Sequence, residues 1–186
     1  MTYARIVKTA AGQMYDRGVA RTSTEDVLAG AVISNSQLYH YFANKDALVR
    51  AVIKYQTRQV LAGQEPYLSH VESFETLVVW RDQFVRDQSG RRCPLGSLAS
   101  ELAHIDEPAR RLLADGYAQW AAAIERGLRV MRELGDLRPE ADPAGLALAT
   151  LAALQGGLQL SRTVQDPDPL KAGLDLAIGY IQHFAA

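Results

Sequence analysis

Apolar residues recur at helical spacing along most of the chain. Between residues 3 and 16 they fall at i, i+1, i+4, i+5, i+8 and i+9, which places them on one face of a helix that Gly18 is suited to end. The same spacing continues from Lys45 to about Leu61 and recurs in five later segments. These are about 71–88, a short helix opened by Pro94, 107–134, 143 to about 164, and a last helix ending near Phe184. Strand-like alternation is missing from the sequence, so the pattern predicts an all-α protein of about nine helices.

The stretch Thr22–Leu48 contains three helix-start signals in close succession. They are a Thr22–Glu25 capping box, a Ser34–Gln37 capping box, and Asn44 as an N-cap. Helices this short are marginal in water, and we expect them to pack on the helix at residues 3–16. Two short helices joined by a tight turn and supported by a third predict a helix-turn-helix, whose second helix enters the DNA major groove.

Charge is unevenly distributed along the chain. The net charge is −1 over 186 residues, with 20 Lys and Arg against 21 Asp and Glu. Residues 1–60 hold eight basic and four acidic residues, a balance of +4, and the remainder holds 12 and 17, a balance of −5. This asymmetry suits a DNA-binding N-terminal domain on an acidic body.

Cysteine content and hydropathy bear on the compartment. The single cysteine excludes an internal disulfide and fits a reducing cytosol. We expect no membrane-spanning run of about 18 apolar residues, and the first residues lack the pattern of a secretory signal. These features predict a cytoplasmic protein that does not interact with a membrane.

The helix-turn-helix segment resembles a known family. The run from Ser34 to Leu48, with Leu38-Tyr39-His40-Tyr41-Phe42 followed by Lys45-Asp46-Ala47-Leu48, is similar to the DNA-binding segment of the tetracycline-repressor (TetR) family, as is Thr22–Val27. The resemblance implies a DNA-binding domain at 1–46 and a ligand-binding and dimerisation domain at 47–186, linked by a helix at about 45–61. It also implies a homodimeric repressor of a palindromic operator, released by a small apolar or aromatic effector, with no cofactor and no enzymatic activity.

The predicted DNA contacts lie in and around the second helix of the motif, at whose N-terminus base edges are read. Gln37 has two competing roles, since its amide can pair with adenine or cap the helix. His40 is expected to contact DNA rather than a metal, because no second ligand lies at helical spacing. The candidates are Ser23, Thr24, Ser34, Asn35, Ser36, Gln37, Tyr39, His40, Tyr41 and Lys45.

Two positions depart from the pattern of the family. Val32 lies in the turn where the family usually carries glycine, so the turn either avoids positive φ or is strained. Asn35-Ser36 replaces the common Lys-Gly pair, which removes one cation. We expect weaker or more salt-tolerant operator binding as a result.

The resemblance implies an effector pocket in the body of the protein, where aromatic residues recur at helical spacing. An aromatic-rich core is the alternative reading of the same residues. The segment Cys93–Leu98 also resembles one found in the branch of lincomycin- and multidrug-resistance regulators. The candidate ligand-binding residues are Trp80, Gln83, Phe84, Cys93, Ser97, Leu98, Tyr117, Trp120, Ile124 and Gln155.

The last two helices are expected to form the dimer interface that the resemblance implies. Gly156-Gly157 with nearby alanines provides a small-residue face, and the final helix has a broad apolar stripe. Packing within one chain is the alternative. The candidate interface residues are Leu146, Ala153, Gly157, Leu160, Leu174, Ile178 and Ile181.

Two other functions are compatible with the sequence. Arg91, Arg92 and a following helix N-terminus would lower the pKa of the Cys93 thiol, which suits a redox-sensing regulator. Alternatively, the departures at Val32 and Asn35 suit a helical interaction protein that has lost DNA binding. No third group completes a catalytic set around Cys93, so we do not expect an enzyme.

Overall fold

The computed structural model describes residues 2–88 and 91–186. Over these residues the fold has nine α-helices, one 3-10 turn at Leu68–His70 and no β-strand, which confirms the all-α prediction. The helices are α1 (Thr2–Arg17), α2 (Thr24–Ala31), α3 (Asn35–Tyr41), α4 (Lys45–Ala62), α5 (Phe74–Gln88), α6 (Pro94–Leu102), α7 (Glu107–Leu134), α8 (Pro143–Val164) and α9 (Asp168–Gln182). In the loop expected after α5, Ser89 and Gly90 lie outside the described residues.

The chain forms two compact units. The first runs to Val60 and includes Pro94–Gly116, and the second comprises Leu61–Cys93 and Tyr117–Ala186. The division differs from the one expected at residue 46, because most of α4, all of α6 and the start of α7 pack with the N-terminal helices. The functional division at 46/47 stays a prediction.

Helices α2 and α3 begin at reciprocal caps. The Ser34–Gln37 capping box is confirmed, with the Gln37 N–H 3.2 Å from Ser34 Oγ and the Ser34 N–H 2.9 Å from Gln37 Oε1. The cap of α2 was expected at Thr22 and lies instead at Ser23, which exchanges the same two hydrogen bonds with Asp26. Thr22 is fully buried, and its hydroxyl donates to the Gly18 carbonyl, so it closes the preceding turn rather than capping the helix.

The connection between α1 and α2 is held at both backbone polar groups of one residue, Val19. The Val19 N–H donates to Glu101 Oε2 at 2.8 Å, and the Val19 carbonyl accepts from Lys45 Nζ at 2.8 Å. Helix α2 packs directly on α1, where a Cβ at Gly30 would lie 2.6 Å from Gln13 Nε2. Contacts from α1, α4 and α6 therefore fix the position of the two short helices.

The turn between α2 and α3 is strained at Val32. Its φ is 51° and its ψ is 60°, the left-handed conformation, and its side chain is 84% exposed. The Val32 and Ile33 N–H groups donate to the Ala29 and Leu28 carbonyls, which satisfies the C-terminus of α2. A branched side chain in this conformation costs about 1–2 kcal/mol and gains little from burial here. Of the two alternatives for this turn, the strained one is correct.

In the second unit, α8 packs closely on α9. A Cβ at Gly157 would lie 2.7 Å from Leu170 Cα, and the Leu170 N–H donates to Ser161 Oγ at 2.9 Å. Contrary to the sequence analysis, α8 is long and apolar enough to cross a membrane, with a mean hydropathy of 1.2 over its most apolar window. A core helix meets the same two criteria, and 44% of that window is buried inside the protein.

The core of the second unit centres on two tryptophans and one glutamine. The rings of Trp80 and Trp120 lie 6.0 and 6.2 Å from that of Phe84. Both indole N–H groups donate to Gln64 Oε1, at 3.3 and 3.1 Å, and all four side chains are buried. A carbonyl oxygen has two lone pairs, so Gln64 can accept both bonds. We call these four residues the aromatic cluster.

Replacing Val32 with glycine or asparagine should stabilise the protein. Both residues adopt the left-handed conformation readily. We expect V32G and V32N to raise the free energy of unfolding by about 0.5–1 kcal/mol, measured by urea unfolding followed by far-UV circular dichroism. The control is V79G, at an exposed position inside α5, which should lower stability by about 1 kcal/mol. A loss of stability in both Val32 variants would contradict the assignment of strain.

Replacing Gln64 with leucine should destabilise the second unit. The substitution nearly preserves volume but leaves two buried indole N–H groups without their acceptor, at about 1–3 kcal/mol each. We expect Q64L to lower the free energy of unfolding by about 2–4 kcal/mol, measured through tryptophan fluorescence, since both tryptophans of the chain lie in the cluster. In the control Q83L, the lost partners are Asp87 and Arg86 at the surface, and we expect little change. Equal stabilities for the two variants would refute the role of Gln64.

Candidate DNA-binding and effector sites

The exposed side of α3 presents a compact set of polar side chains. Leu38 and the following Phe42 are buried against the first unit, so the residues between and before them point outward. We call the set the reading face; all its members are exposed, and they are Asn35, Ser36, Gln37, Tyr39 and His40. The face contains no lysine, arginine, aspartate or glutamate, so it offers hydrogen-bonding groups rather than fixed charges.

Some of the side chains predicted to bind DNA already form hydrogen bonds that cap helices. The hydroxyls of Ser23 and Ser34 each accept a backbone N–H, and Gln37 Oε1 accepts the Ser34 N–H. The Gln37 amide oxygen therefore caps the helix, which is one of the two roles expected for this residue. Its Nε2 group keeps two donors for an acceptor on a base edge, such as guanine O6 or N7.

Three further predicted DNA contacts, Tyr41, Thr24 and Lys45, lie outside the reading face. Tyr41 is exposed and packs edge-on against Tyr3, with the ring centroids 5.9 Å apart. Thr24 donates to Glu25 Oε2 at 3.3 Å. Lys45 is half-buried and uses one of its three N–H donors on the Val19 carbonyl. Two donors of Lys45 are left to contact a phosphate.

The aromatic cluster contains three of the predicted ligand-binding residues, Trp80, Phe84 and Trp120. Beside it lies a cavity of only about 10 Å³, lined by Tyr67, Gln83 and Phe84 among others. This volume barely holds one water molecule. The aromatic-core interpretation therefore describes the cluster as it stands, and an effector can enter only if these side chains move apart.

A polar group forms around Cys93. Its Sγ accepts from Gln155 Nε2 at 3.6 Å. Burial raises the pKa of the nearby Tyr117 hydroxyl, and Cys93 raises it further, so the phenol stays protonated at any physiological pH. The structure thus brings together three predicted ligand-binding residues, Cys93, Tyr117 and Gln155. Ile124 is buried in the core of the same unit, whereas Ser97 and Leu98 lie on α6 in the first unit.

A groove that the sequence analysis did not anticipate lies elsewhere on the second unit. It has a volume of about 230 Å³ and is lined by Leu61, Glu65, Leu68, Gln119, Ala122, Ala123 and Arg126. None of the predicted ligand-binding residues lines it. The sequence did not predict the role of Gln64 either, because a lone glutamine between two predicted helices carries no periodic signal.

Most of the predicted dimer contacts are buried within the chain itself, and their part in a dimer stays a prediction. Apolar stripes at these positions face the α8–α9 interface and the core behind it. The buried members are Leu146, Gly157, Leu174, Ile178 and Ile181. Ala153 is half-buried, and its carbonyl oxygen would lie 3.1 Å from a Cβ at Gly173 of α9. Leu160 is the one predicted residue that is exposed.

The exposed sides of α8 and α9 are nevertheless apolar. On α8, Ala149, Ala152 and Gly156 lie on the same exposed arc as Leu148 and Leu160. A Cβ at Gly156 would meet no neighbouring atom within 4 Å among the residues that the structure describes. On α9, Leu176 and Tyr180 are exposed. We call this surface, formed by the exposed apolar and small residues of α8 and α9, the apolar face.

No group of three or more histidine, cysteine, aspartate or glutamate side chains that could hold a metal ion occurs within residues 2–88 and 91–186. His40 packs edge-on against Tyr41, with ring centroids 4.8 Å apart. Its place on the reading face is compatible with the expected DNA contact.

Family models and relatives agree on the kind of protein. The model of the bacterial regulatory proteins of the tetR family matches residues 6–52, and that of the tetracyclin repressor-like C-terminal domain matches residues 75–176, more than half of the chain. An uncharacterized HTH-type transcriptional regulator in the lacX 3′ region of Lactococcus lactis subsp. lactis is 29% identical over 94% of this chain and 90% of its own length. The HTH-type transcriptional repressor DhaR of a Mycobacterium species is 22% identical over 83% of this chain and 79% of its own length.

Solved structures share the fold. The crystal structure of a TetR transcriptional regulator from Chloroflexus aurantiacus J-10-FL superposes with a TM-score of 0.83 and 24% identity, and covers 99% of this chain and 96% of that one. The resemblance of Cys93–Leu98 to one branch of regulators stays a prediction. The two family models, matched in order along one chain, show that this protein belongs to the TetR family of helix-turn-helix transcriptional regulators.

Proposed function

We propose that the protein is a homodimeric repressor that binds a palindromic operator through the reading face and is released by a small apolar or aromatic effector. It acts in the cytoplasm, as a binding protein rather than an enzyme. The observation that carries the proposal is the reading face itself, a capped helix with five exposed polar side chains on a buried apolar support.

The chemistry of the reading face supports specific rather than purely electrostatic binding. Amide, hydroxyl and imidazole groups supply donors and acceptors that match base edges in the major groove. The first unit also carries the basic excess of the chain, with Lys45 and Thr24 beside the face. Because the face itself has no lysine or arginine, contacts to phosphate must come from its surroundings.

The apolar face supports dimerisation. Leu176 is 76% exposed, and Leu148, Leu160, Val164 and Tyr180 are all more than half exposed. Apolar residues clustered in this way on two adjacent helices indicate a protein interface. A second copy is the occupant that fits, because two recognition helices related by two-fold symmetry read two operator half-sites.

The aromatic cluster supports an effector with an aromatic or apolar body. Its two indole rings are held by hydrogen bonds to one oxygen, so a ligand that displaces Gln64 or bonds to it can open the cluster while the backbone stays in place. Cys93 is only 9% exposed and is held by Gln155, which disfavours the redox-sensing alternative because a sensor thiol needs access to oxidant.

DNA binding should be specific and only moderately sensitive to salt. In gel-shift titrations with the promoter of the protein's own gene, we expect a saturable complex, and we expect N35K to tighten it by adding a cation to the reading face. The slope of log affinity against log salt concentration should steepen by about one. The control Q119K adds the same charge to an exposed site on α7 in the second unit and should leave the slope unchanged. Failure to form any specific complex at low salt would sink the repressor proposal and favour an interaction protein without DNA binding.

The dimer should depend on the apolar face. A charge at Leu176 would be buried unpaired in the interface, so we expect L176E to be mainly monomeric at micromolar concentration by sedimentation equilibrium. The control I105E changes a residue that is 80% exposed at the turn before α7, and we expect it to remain dimeric. If L176E and wild type have the same dissociation constant, the interface lies elsewhere.

An effector should disturb the aromatic cluster and the DNA complex together. Because both tryptophans lie in the cluster, the intrinsic fluorescence of the protein reports on it directly. We expect an effector found by loss of the gel-shift complex to quench or shift this fluorescence with the same midpoint. Release of DNA with unchanged fluorescence would move the effector site away from the cluster.

A further inference from the structure

A shallow open groove runs along the outer side of the α2–turn–α3 motif. It has a volume of about 580 Å³, and the residues that line it are Glu25, Leu28, Ala29, Val32, Ile33, Ser34 and Gln37. Ser34 and Gln37 belong to the N-terminal turn of α3, the part of a recognition helix that meets base edges. The groove therefore lies on the side of the motif that faces DNA in the proposed complex.

Glu25 is the one ionisable residue among the seven that line this groove, all of them within the described part of the chain. It is fully exposed, and hydrogen bonds from its own backbone N–H, Ser23 and Thr24 hold the pKa of its carboxyl below the usual value. The side chain is therefore ionised at neutral pH and can only accept hydrogen bonds.

The neighbouring carboxylate has a different role. Asp26 completes the capping box with Ser23 and lies 3.6 Å from Arg17. Glu25 forms no ion pair within residues 2–88 and 91–186. Because Glu25 lines the groove, its charge lies where DNA approaches in the proposed complex.

A carboxylate at a DNA interface has few favourable partners. Phosphates carry the same charge, and in the major groove the donors are the N4 amino group of cytosine and the N6 amino group of adenine. Adenine presents its N7 acceptor beside N6, which repels a carboxylate, whereas cytosine presents N4 without an acceptor of its own on that edge. Cytosine is therefore the base that suits Glu25.

We propose that Glu25 is a specificity-determining residue that accepts a hydrogen bond from the N4 amino group of one cytosine in each operator half-site. The inference rests on the proposed DNA-binding function and names a base-reading residue outside the recognition helix. It adds a contact from α2 to those from the reading face.

The test is selection from a library of randomised duplexes with the full-length protein, followed by sequencing. We expect wild type to enrich a palindrome in which one position of each half-site is always cytosine. The other three bases at that position should be disfavoured by about tenfold or more. E25A should lose the preference at that position only. E25Q should change it towards adenine, because an amide both donates to N7 and accepts from N6.

The matched control is E75Q, which removes the same charge from an exposed position on α5 and should keep the wild-type motif. If E25A enriches the wild-type motif and binds every duplex more tightly, Glu25 is only a repulsive charge and the inference is overturned. If wild type enriches no motif at all, the proposed function itself fails. Circular dichroism of the Glu25 variants should match wild type, since the side chain is exposed.

Discussion

Helices α2 and α3 are too short to persist on their own in water, and the architecture of the first unit follows from this constraint. They have eight and seven residues, whereas isolated helices need about 12–15. Each therefore begins at a reciprocal capping box and packs its few apolar side chains on the supporting helices. The backbone N–H and C=O of Val19, bound by Glu101 from α6 and Lys45 from α4, fix the entry to the pair.

This constraint explains why the first unit extends beyond the predicted DNA-binding domain. A three-helix head ending at residue 46 would lack the part of α4 and the α6 segment that pack with it. Glu101, 82 residues from Val19 in sequence, illustrates the point, because its carboxylate serves a backbone N–H of the N-terminal helices. The segment that positions the reading face thus includes residues from the middle of the chain.

The sequence predicted most helix starts correctly, but it did not predict contacts between distant segments. The caps at Ser34 and Asn44 and the starts of α7 and α8 follow from short-range chemistry. The first cap was misplaced by one residue because Thr22 and Ser23 each precede an acidic residue by three positions. Only the fold shows that Thr22 is buried and bonded to Gly18.

The candidate sites show the same limit. Exposure of the reading face followed from the burial of Leu38, but the sequence could not show that Gln64 joins Trp80 and Trp120. That link spans 56 residues between Gln64 and Trp120 and has no periodicity. Likewise, an apolar stripe shows that a helix face is covered without showing whether its own chain or a second copy covers it.

Gly156 and Gly157 are adjacent on α8, but Gly157 packs against α9 and Gly156 is exposed. A Cβ at Gly157 would collide with the backbone of Leu170, so this glycine is required for α8 to pack on α9. A Cβ at Gly156 would lie more than 4 Å from its neighbours among the described residues, and glycine in a helix interior costs about 1 kcal/mol relative to alanine. Contacts within one chain therefore do not account for Gly156. The proposed dimer would account for it, because a glycine on the apolar face leaves room for a second α8.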